Sequence, residues 1–439
     1  ALDQPYLEDF MVRNAFTAGI DFTQYFKNRL YYIDVKGMLS SLHGSAGAIT
    51  ALQNSVAHYY QRASSADYLG VDPTRRSLTG TGGYVKVGRK GNAKWNFSET
   101  FTWSSPGFDL NDMGYMKETD YLMNETEIMY RQTDIWKIFR YNAFTLSQKN
   151  MWNYGGTPFS NNASLRWQSM TMNRYEWDVK ETFAWNWLDS RLLRGGPDVR
   201  FGSYFLTSAK FNTDKAKRMM FMLKYEGDHN FEGNRFNTIS PSLTFRLGNH
   251  VYLSGQLDYA WNTDEMQYVA TTSPLSSSSL APYYYVMGHM DQKTYGLTLK
   301  LQVNVTPDIS IQFYGAPFTS IAKYDDFKLA ADTKSHTFEN RFQRIDPDQL
   351  TYADGVYTIG EGAGQMPFRN PDFRFNEFRS NLVARWEYLP GSTLYFVWEH
   401  RMSNRDNWYS SGWGSNLDRM WGLPATNTFM IKMNYWFNL

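Results

Sequence analysis

The chain has 439 residues and a net charge of +1, a near-neutral balance that gives no electrostatic basis for binding nucleic acid. It contains no cysteine, which excludes disulfides, thiolate metal sites and cysteine nucleophiles. Mean hydropathy is −0.54, and no run approaches the roughly twenty apolar residues of a membrane helix. Aromatic residues nevertheless make up 17% of the chain. A transmembrane β-barrel combines these properties, because only alternate residues face lipid and aromatic girdles line both interfaces.

Apolar and polar residues alternate in stretches that recur in pairs joined by short turns. A period of two predicts strands with one apolar and one polar face. The eight predicted hairpins span 15–40, 83–103, 121–151, 163–187, 201–228, 236–261, 294–313 and 382–398. A last strand begins at Asn427 and continues to Leu439, with Phe429 and Ile431 on its apolar face and Lys432 on its polar face.

The connections between hairpins are long, whereas the turns within them are short. Short periplasmic turns and long outer loops are typical of barrels in the outer membrane of Gram-negative bacteria. The fold class predicted is therefore all-β, a transmembrane antiparallel β-barrel with about 17–18 strands in this chain. Eight hairpins and one last strand give an odd number, while single-chain bacterial barrels have even numbers. We therefore expect residues 1–439 to be the C-terminal part of a larger barrel.

Two of the long loops have features of their own. Residues 44–62 carry Ile49, Leu52 and Val56 at helical spacing, so a helix is predicted there. It either packs over the barrel mouth, which we favour, or folds inward and narrows the lumen. Residues 315–376 form the longest connection and are long enough to cap or plug the barrel.

The polar face of the strongest strands should face the lumen and carry charges of both signs. The residues assigned to it are Lys300, Gln302, Asn304, Arg385, Glu387, Glu399, Lys432 and Asn434. No sign dominates, so strong ion selectivity is not implied. We expect these charges to pair with one another and to stiffen the wall.

Asp109, Asn111 and Asp112 place alternating oxygen ligands in an outer loop, a pattern that can hold calcium. The alternative, which we favour, is a turn stabilised by its own Asx side chains. No other cofactor or metal is indicated.

The loop at 404–424 carries four aromatic residues among Asn, Asp and Arg side chains. Flat aromatic rings beside hydrogen-bonding groups are surfaces on which sugar rings stack, and the alternative is an interfacial girdle or packing between loops. The four stacking candidates are Trp408, Tyr409, Trp413 and Trp421.

An enzyme is not expected. The seven histidines are scattered and form no His-Glu-x-x-His metal spacing, and no Gly-x-Ser-x-Gly elbow is present.

Several separate motifs resemble an outer-membrane barrel family of Bacteroidota whose function is unknown. They are Ala66–Leu69, Asp72–Arg75, Ser105–Asp112, Arg194–Pro197, Met290–Thr294, Tyr324–Phe327 and Phe378–Tyr388. In that family the barrel typically follows a family-nine-type carbohydrate-binding module. The resemblance implies a barrel with further strands upstream and supplies no catalytic residues.

Two functions follow as hypotheses. The first is an outer-membrane conduit or transporter for solutes, with glycans among the solutes considered, embedded in outer-membrane lipid. The second is a structural or docking barrel in a multi-protein complex, with outer-membrane proteins or surface lipoproteins as partners.

Overall fold

A computed structural model describes residues 10–62, 67–185, 187–248, 250–275, 283–407 and 413–437. Within these ranges, eighteen strands form one antiparallel sheet. One of them, a three-residue strand, pairs only with the end of a longer neighbour, which leaves seventeen strands as the wall. The predicted fold class, an all-β antiparallel barrel wall of 17–18 strands, is confirmed.

The strands are numbered here in chain order. The first eight are β1 (Asn14–Phe26), β2 (Tyr31–His43), β3 (Ser77–Arg89), β4 (Trp95–Ser104), β5 (Tyr121–Gln132), β6 (Phe139–Trp152), β7 (Pro158–Thr171) and β8 (Glu176–Trp185). The next eight are β9 (Trp187–Asp189), β10 (Val199–Phe201), β11 (Tyr204–Asn212), β12 (Met219–Asn230), β13 (Arg235–Leu247), β14 (Val251–Thr272), β15 (Tyr284–Asn304) and β16 (Ile309–Ala330). The last seven are β17 (Phe342–Arg344), β18 (Leu350–Ala353), β19 (Val356–Ile359), β20 (Met366–Arg369), β21 (Phe373–Leu389), β22 (Ser392–Asp406) and β23 (Ala425–Asn434).

The wall is an up-and-down meander, in which each strand pairs with the next wall strand along the chain. The three outlying groups, β9–β10, β17 and β18–β20, lie in the connections and do not interrupt this order. The turns within the hairpins all lie at one edge of the wall, the turn end. The other edge, the loop end, carries every long connection together with two short ones, 153–157 and 231–234. At the turn end, Lys27, Asn28 and Arg29 all have left-handed φ angles, which allows β1 to return as β2 within four residues.

Neighbouring rows of the sheet differ sharply in polarity. One row across β15, β16, β21, β22 and β23 is wholly apolar: Leu301, Phe313, Leu382, Trp398 and Phe429. The adjacent row on the opposite face is Lys300, Tyr314, Asn381, Glu399 and Thr428. The period-two pattern of the sequence therefore continues across strands, because the register holds like residues on one face.

The apolar face is not covered by any second layer of the described chain. Leu299 is 40% exposed, Leu253 is exposed to a similar degree, and Phe429 on the edge strand is more exposed. Leu297 and Leu301 are half-buried by their neighbours in the sheet, not by a second sheet. Among the described residues, no helix has the length and hydrophobicity needed to span a bilayer.

The three longest strands extend beyond this amphipathic band towards the loop end. Val286 and Met287 are adjacent in β15 and point to opposite faces, yet neither is exposed to solvent. Each belongs to a separate hydrophobic cluster, so the upper part of β15 is packed on both sides. The predicted connection 315–376 is corrected here, because β16 continues to Ala330 and β21 begins at Phe373. Packing on both faces removes the alternation by which the sequence analysis recognised strands.

Helices are few and lie in the loops. α1 (Ala46–Gln53) is capped by Ser45, whose hydroxyl accepts a hydrogen bond from the Ala48 amide. The helix is shorter than the predicted 44–62 segment. Turns follow it, and Tyr59 has a left-handed φ of 45° that no helix can accommodate. α2 (Trp413–Trp421) lies in the connection between β22 and β23, where no helix was predicted.

The two edge strands of the wall, β1 and β23, do not pair with each other in the described residues. Both are exposed along their whole length. Because seventeen strands alternate in direction, β1 and β23 both run from the loop end to the turn end. The wall is therefore open between two parallel edges. The predicted last strand is also shortened, since β23 ends at Asn434, and residues 438 and 439 lie outside the described part.

Candidate functional site

The polar face of the wall brings together the residues that were assigned to the lumen. Lys300 and Glu399 lie in one row, and Asn304, Arg385 and Lys432 lie in another on the same face. Glu387 follows Arg385 by two residues and therefore shares this face. Its carboxylate accepts a 2.6 Å hydrogen bond from Arg385 Nη2.

Other charges on this face also form pairs. Arg166 donates through Nε and Nη2 to both carboxylate oxygens of Asp178, at 2.8 and 2.5 Å. Further pairs join Lys36 to Asp21 at 3.1 Å and Lys224 to Glu226 at 2.8 Å. Bidentate and short pairs of this kind restrict side-chain motion, and they give the face alternating charge without a dominant sign. Of the five charged residues assigned to the lumen, Arg385 and Glu387 form a pair, whereas Lys300, Glu399 and Lys432 form no ion pair with the residues that the structure describes.

At the loop end, the connections after β2, β4, β6 and β8 pack into one layer, called here the loop layer (residues 44–62, 67–76, 105–120, 153–157 and 187–203). Arg62 Nη2 lies 2.7 Å from Asp120 Oδ2, and that oxygen also accepts a 2.6 Å hydrogen bond from the Tyr68 hydroxyl. Asp120 Oδ1 accepts a hydrogen bond from the Tyr154 amide. Burial, together with the hydrogen bond to Asp120, raises the pKa of Tyr68. One buried carboxylate therefore connects three of the four loops.

A second buried contact in the loop layer involves His58 and Asp109. His58 Nε2 lies 3.0 Å from Asp109 Oδ2, and His58 Nδ1 lies 2.9 Å from the carbonyl oxygen of Pro106. Thr119 Oγ1 is 3.3 Å from the same Nδ1, but it is buried and lies within hydrogen-bond distance of the carbonyls of Ala57 and Pro106. His58, Asp109 and Thr119 together have the composition of a hydrolytic triad. The Thr119 hydroxyl is buried and hydrogen-bonded to loop carbonyls, and these contacts hold the loops together.

Asp109 is also one of the three calcium candidates, with Asn111 and Asp112. Asp109 Oδ1 accepts a hydrogen bond from the Asn111 amide at 2.7 Å, which is an Asx turn, and Asn111 Oδ1 accepts one from the Met116 amide. Asp112 is exposed. Within the described ranges no group of three or more His, Asp or Glu side chains is arranged to hold a metal ion.

The segment 331–372, which follows β16, covers the loop end instead of filling the wall. It contains β17 and a small sheet of β18, β19 and β20. Ile359 and Phe368 from that sheet pack against Val286, Phe327 and Leu329 at the upper ends of β15 and β16. Described contacts therefore place this segment above the amphipathic band, as a cap.

A cavity of about 430 Å³ lies where the β9–β10 hairpin approaches the upper wall between β11 and β15. Its aromatic lining is Trp187, Phe201, Tyr204 and Phe236. Trp187 meets Tyr204 edge to face, with ring centroids 5.7 Å apart. Three carboxylates, Asp189, Asp228 and Asp264, also line it. The sequence analysis did not identify this site, because the aromatic rings come from four different strands. The only signal was the presence of three aromatic residues, Trp187, Phe201 and Tyr204, in 187–204.

A second cavity adjoins the first on the polar face. It has a volume of about 570 Å³ and shares Asp228 and Phe236 with the first cavity. Lys149, Lys180 and Glu125 line its far side. The two cavities therefore lie next to each other on the polar face, beneath the loops.

The four stacking candidates are only partly described. Trp408 and Tyr409 lie outside the described residues, as does the side chain of Trp413. Trp421 is described, and it packs against Phe378 with ring centroids 4.8 Å apart. This contact is the packing alternative, and the structure does not bring Trp421 to the aromatic cavity.

The family of the chain follows from comparison with known proteins. A model described as a domain of unknown function, DUF5916, matches residues 43–439. The chain belongs to the DUF5916 family. No curated protein matches it significantly.

Two solved structures resemble the DUF5916 wall at low identity. The siderophore receptor PirA from Acinetobacter baumannii is 9% identical, with a TM-score of 0.39, and the match covers 95% of this chain and 70% of that one. A ferric enterobactin receptor from Pseudomonas aeruginosa, solved with enterobactin, is 7% identical, with a TM-score of 0.35, and the match covers 89% and 74%.

Proposed function

We propose that this protein is an outer-membrane barrel of a Gram-negative bacterium that conducts or transports solutes. One observation carries the proposal: within the described residues no second layer covers the apolar face of the wall, and the opposite face is polar and bordered by two adjoining cavities. An apolar surface this extensive is expected to contact lipid, because soluble proteins rarely leave one open to water. The polar face then borders the solute path.

The two cavities on the polar face favour a role in transport over a purely structural role. The larger cavity is bordered by Lys149 and Lys180, which form no ion pair in the described part of the chain. The carboxylates Glu125, Glu226 and Asp228 border it as well. Side chains of this kind set the ion preference of a water-filled path. The loop layer and the cap cover the loop end, so solute passage requires these loops to move or to leave a gap.

Reconstitution into planar bilayers tests the proposal. The wild-type protein should give a stable current, and Lys149→Glu with Lys180→Glu should shift the reversal potential towards cation preference. Lys94→Glu is the matched control, because Lys94 is an exposed residue at the turn end, outside both cavities. A silent protein, or an unchanged reversal potential in the double variant, would contradict transport.

The second candidate is a docking barrel, and the open edges of β1 and β23 favour it. Unpaired strand edges bind other strands, and lipid offers them no hydrogen bonds. A barrel that conducts no current and co-purifies with outer-membrane proteins or surface lipoproteins would support this function. Origin in Bacteroidota, an upstream carbohydrate-binding module and glycans as solutes remain predictions.

A further inference from the structure

The geometry points to a binding site for a small organic ammonium ion in the cavity beneath the β9–β10 hairpin. We infer this from three features: the aromatic lining, the excess of carboxylates and the set of polar atoms that the protein leaves unused. The inference rests on the proposed transport function, since it names a class of solute, but binding and conductance are measured separately.

Five amide side chains line the cavity, and four of them use their oxygen atoms within the protein, Gln267 being the fifth. Asn262 Nδ2 donates to Gln292 Oε1 at 3.0 Å, and Gln292 Nε2 donates to the Ser320 hydroxyl. Asn230 Oδ1 accepts from two backbone amides, and Asn234 Oδ1 accepts from the Glu265 amide. These four amides shape the cavity wall and offer few acceptors to a ligand.

The carboxylates, in contrast, retain free acceptor oxygens. Neither oxygen of Asp228 accepts a hydrogen bond or ion pair from any residue that the structure describes. Asp264 uses Oδ1 for the Met266 amide, and Asp189 uses Oδ1 for the amides of Arg191 and Leu192, which leaves one oxygen of each uncommitted. The cavity therefore presents carboxylate acceptors to an ammonium donor, beside the guanidinium of Arg235 and the amide groups of the lining.

The net charge of the cavity lining also favours a cationic ligand. Three carboxylates are balanced by one guanidinium, that of Arg235, so the lining carries an excess of two negative charges. Asp228 and Asp264 lie on one face, because Asp228 is in register through Phe236 with Asn262, two residues before Asp264. Like charges held together in a partly desolvated site favour a bound cation.

The aromatic rings select an organic cation over a metal ion. Trp187 and Tyr204 meet edge to face, and Phe236, which is 47% exposed, lies in register between Asp228 and Asn262. Ammonium groups are attracted to the faces of such rings, whereas a metal ion is held by oxygen, nitrogen or sulfur ligands. A volume of about 430 Å³ lies within the range of small-molecule sites.

The test compares charged probes with neutral analogues of the same shape on the wild-type protein in detergent. The pairs are benzylammonium with benzyl alcohol, choline with 3,3-dimethylbutanol, and protonated glucosamine with glucose, each titrated by calorimetry. We expect at least one ammonium ion to bind about tenfold or more tightly than its neutral analogue. Binding of no ammonium probe, or equal binding of each charged and neutral pair, would overturn the inference.

Variants locate the binding to this cavity. Asp228→Asn keeps the shape and should weaken ammonium binding about tenfold, and Phe236→Leu should weaken it about two- to fivefold. Asp258→Asn is the control: its carboxylate lies lower on the same face of β14, where it accepts hydrogen bonds from Ser240 and Gln256. An equal loss in Asp258→Asn would show nonspecific attraction to the wall. Current without ammonium binding would overturn this inference alone, and binding without current would overturn transport alone.

Discussion

Arg341 Nη2 lies 2.7 Å from Glu232 Oε1, and this contact joins the cap to the connection between β12 and β13. The guanidinium is 1% exposed and also donates to the carbonyl oxygens of Arg200 and Ser335, at 2.7 and 2.8 Å. A buried charge is tolerated when every donor has a partner. The contact therefore fixes the cap over the cavity edge.

Removing one partner should loosen the cap. Glu232→Ala leaves the buried guanidinium without its carboxylate, a loss that costs about 3–5 kcal/mol for buried pairs. We expect amide hydrogen exchange to accelerate in 331–345, while the lower wall strands keep their protection. Asp134→Ala is the control, because its pair with Lys94 is exposed and should contribute about 0–1 kcal/mol. Unchanged exchange in Glu232→Ala would contradict a stabilising role.

Acid should weaken the loop layer through Asp109. Burial raises the pKa of this carboxyl, but hydrogen bonds from His58 and the Asn111 amide lower it more, so its net pKa lies below the ordinary 3.8. A carboxyl with a lowered folded pKa stabilises the fold above its unfolded pKa, and that contribution is lost as pH falls through the folded value. Wild-type loops should therefore lose protection against exchange below about pH 4.

Asp109→Asn isolates this effect. The variant should be less stable at neutral pH and should lose less stability between about pH 5 and pH 2 than the wild type, because it has no carboxyl to protonate. Asp112→Asn, which changes an exposed neighbour, should follow the wild-type curve. Parallel acid curves for wild type and Asp109→Asn would show that Asp109 does not carry the acid response.

The open seam between β1 and β23 can be probed by disulfides, since the protein has no cysteine of its own. Phe396 and Ile431 are opposed in register on β22 and β23, so a cysteine pair there should oxidise readily. A cysteine pair at Ile20 in β1 and Ile431 in β23 should not oxidise, because these two edge strands do not pair in the described residues. Efficient cross-linking at the edges would show that the wall closes through parallel strands. Without it, antiparallel closure requires an odd number of further strands, and the larger barrel remains the prediction.

Substitution of Trp421 distinguishes a role in packing from a role in sugar stacking. Its contact with Phe378 predicts that Trp421→Ala lowers the free energy of unfolding by about 1 kcal/mol. If the loop binds glycans, Trp408→Ala and Trp413→Ala should weaken that binding, and Trp421→Ala should leave it unchanged. Glycan arrays with matched unfolding curves would measure both. A loss of glycan binding in Trp421→Ala with unaltered stability would reverse this assignment.

The strands of the wall could be predicted from the sequence because the alternation of apolar and polar residues is visible within each strand. Alternation at Leu297, Leu299 and Leu301 survives wherever one face is polar and the other apolar. The prediction fails above that band, where Val286 and Met287 are both buried and β15 begins ten residues before the predicted Thr294. The length of the connection after β16 was overestimated for the same reason.

The aromatic cavity could not be predicted because tertiary contacts create it. Trp187 and Phe236 are far apart in sequence, and neither belongs to a spacing motif. Whether a carboxylate such as Asp228 has a partner is decided by neighbours on other strands. The pairing of Arg385 with Glu387 was predictable, since residues two apart on one strand share a face.

Cysteine scanning of β15 tests the central claim, that one face of the wall contacts lipid and the other contacts water. Single cysteines at Leu297, Leu299 and Leu301 should resist a charged thiol reagent in proteoliposomes and react with a lipid-soluble one. Cysteines at Thr298 and Lys300 should show the opposite preference. Uniform reaction of all five positions with the charged reagent would contradict the membrane assignment and the transport proposal that depends on it.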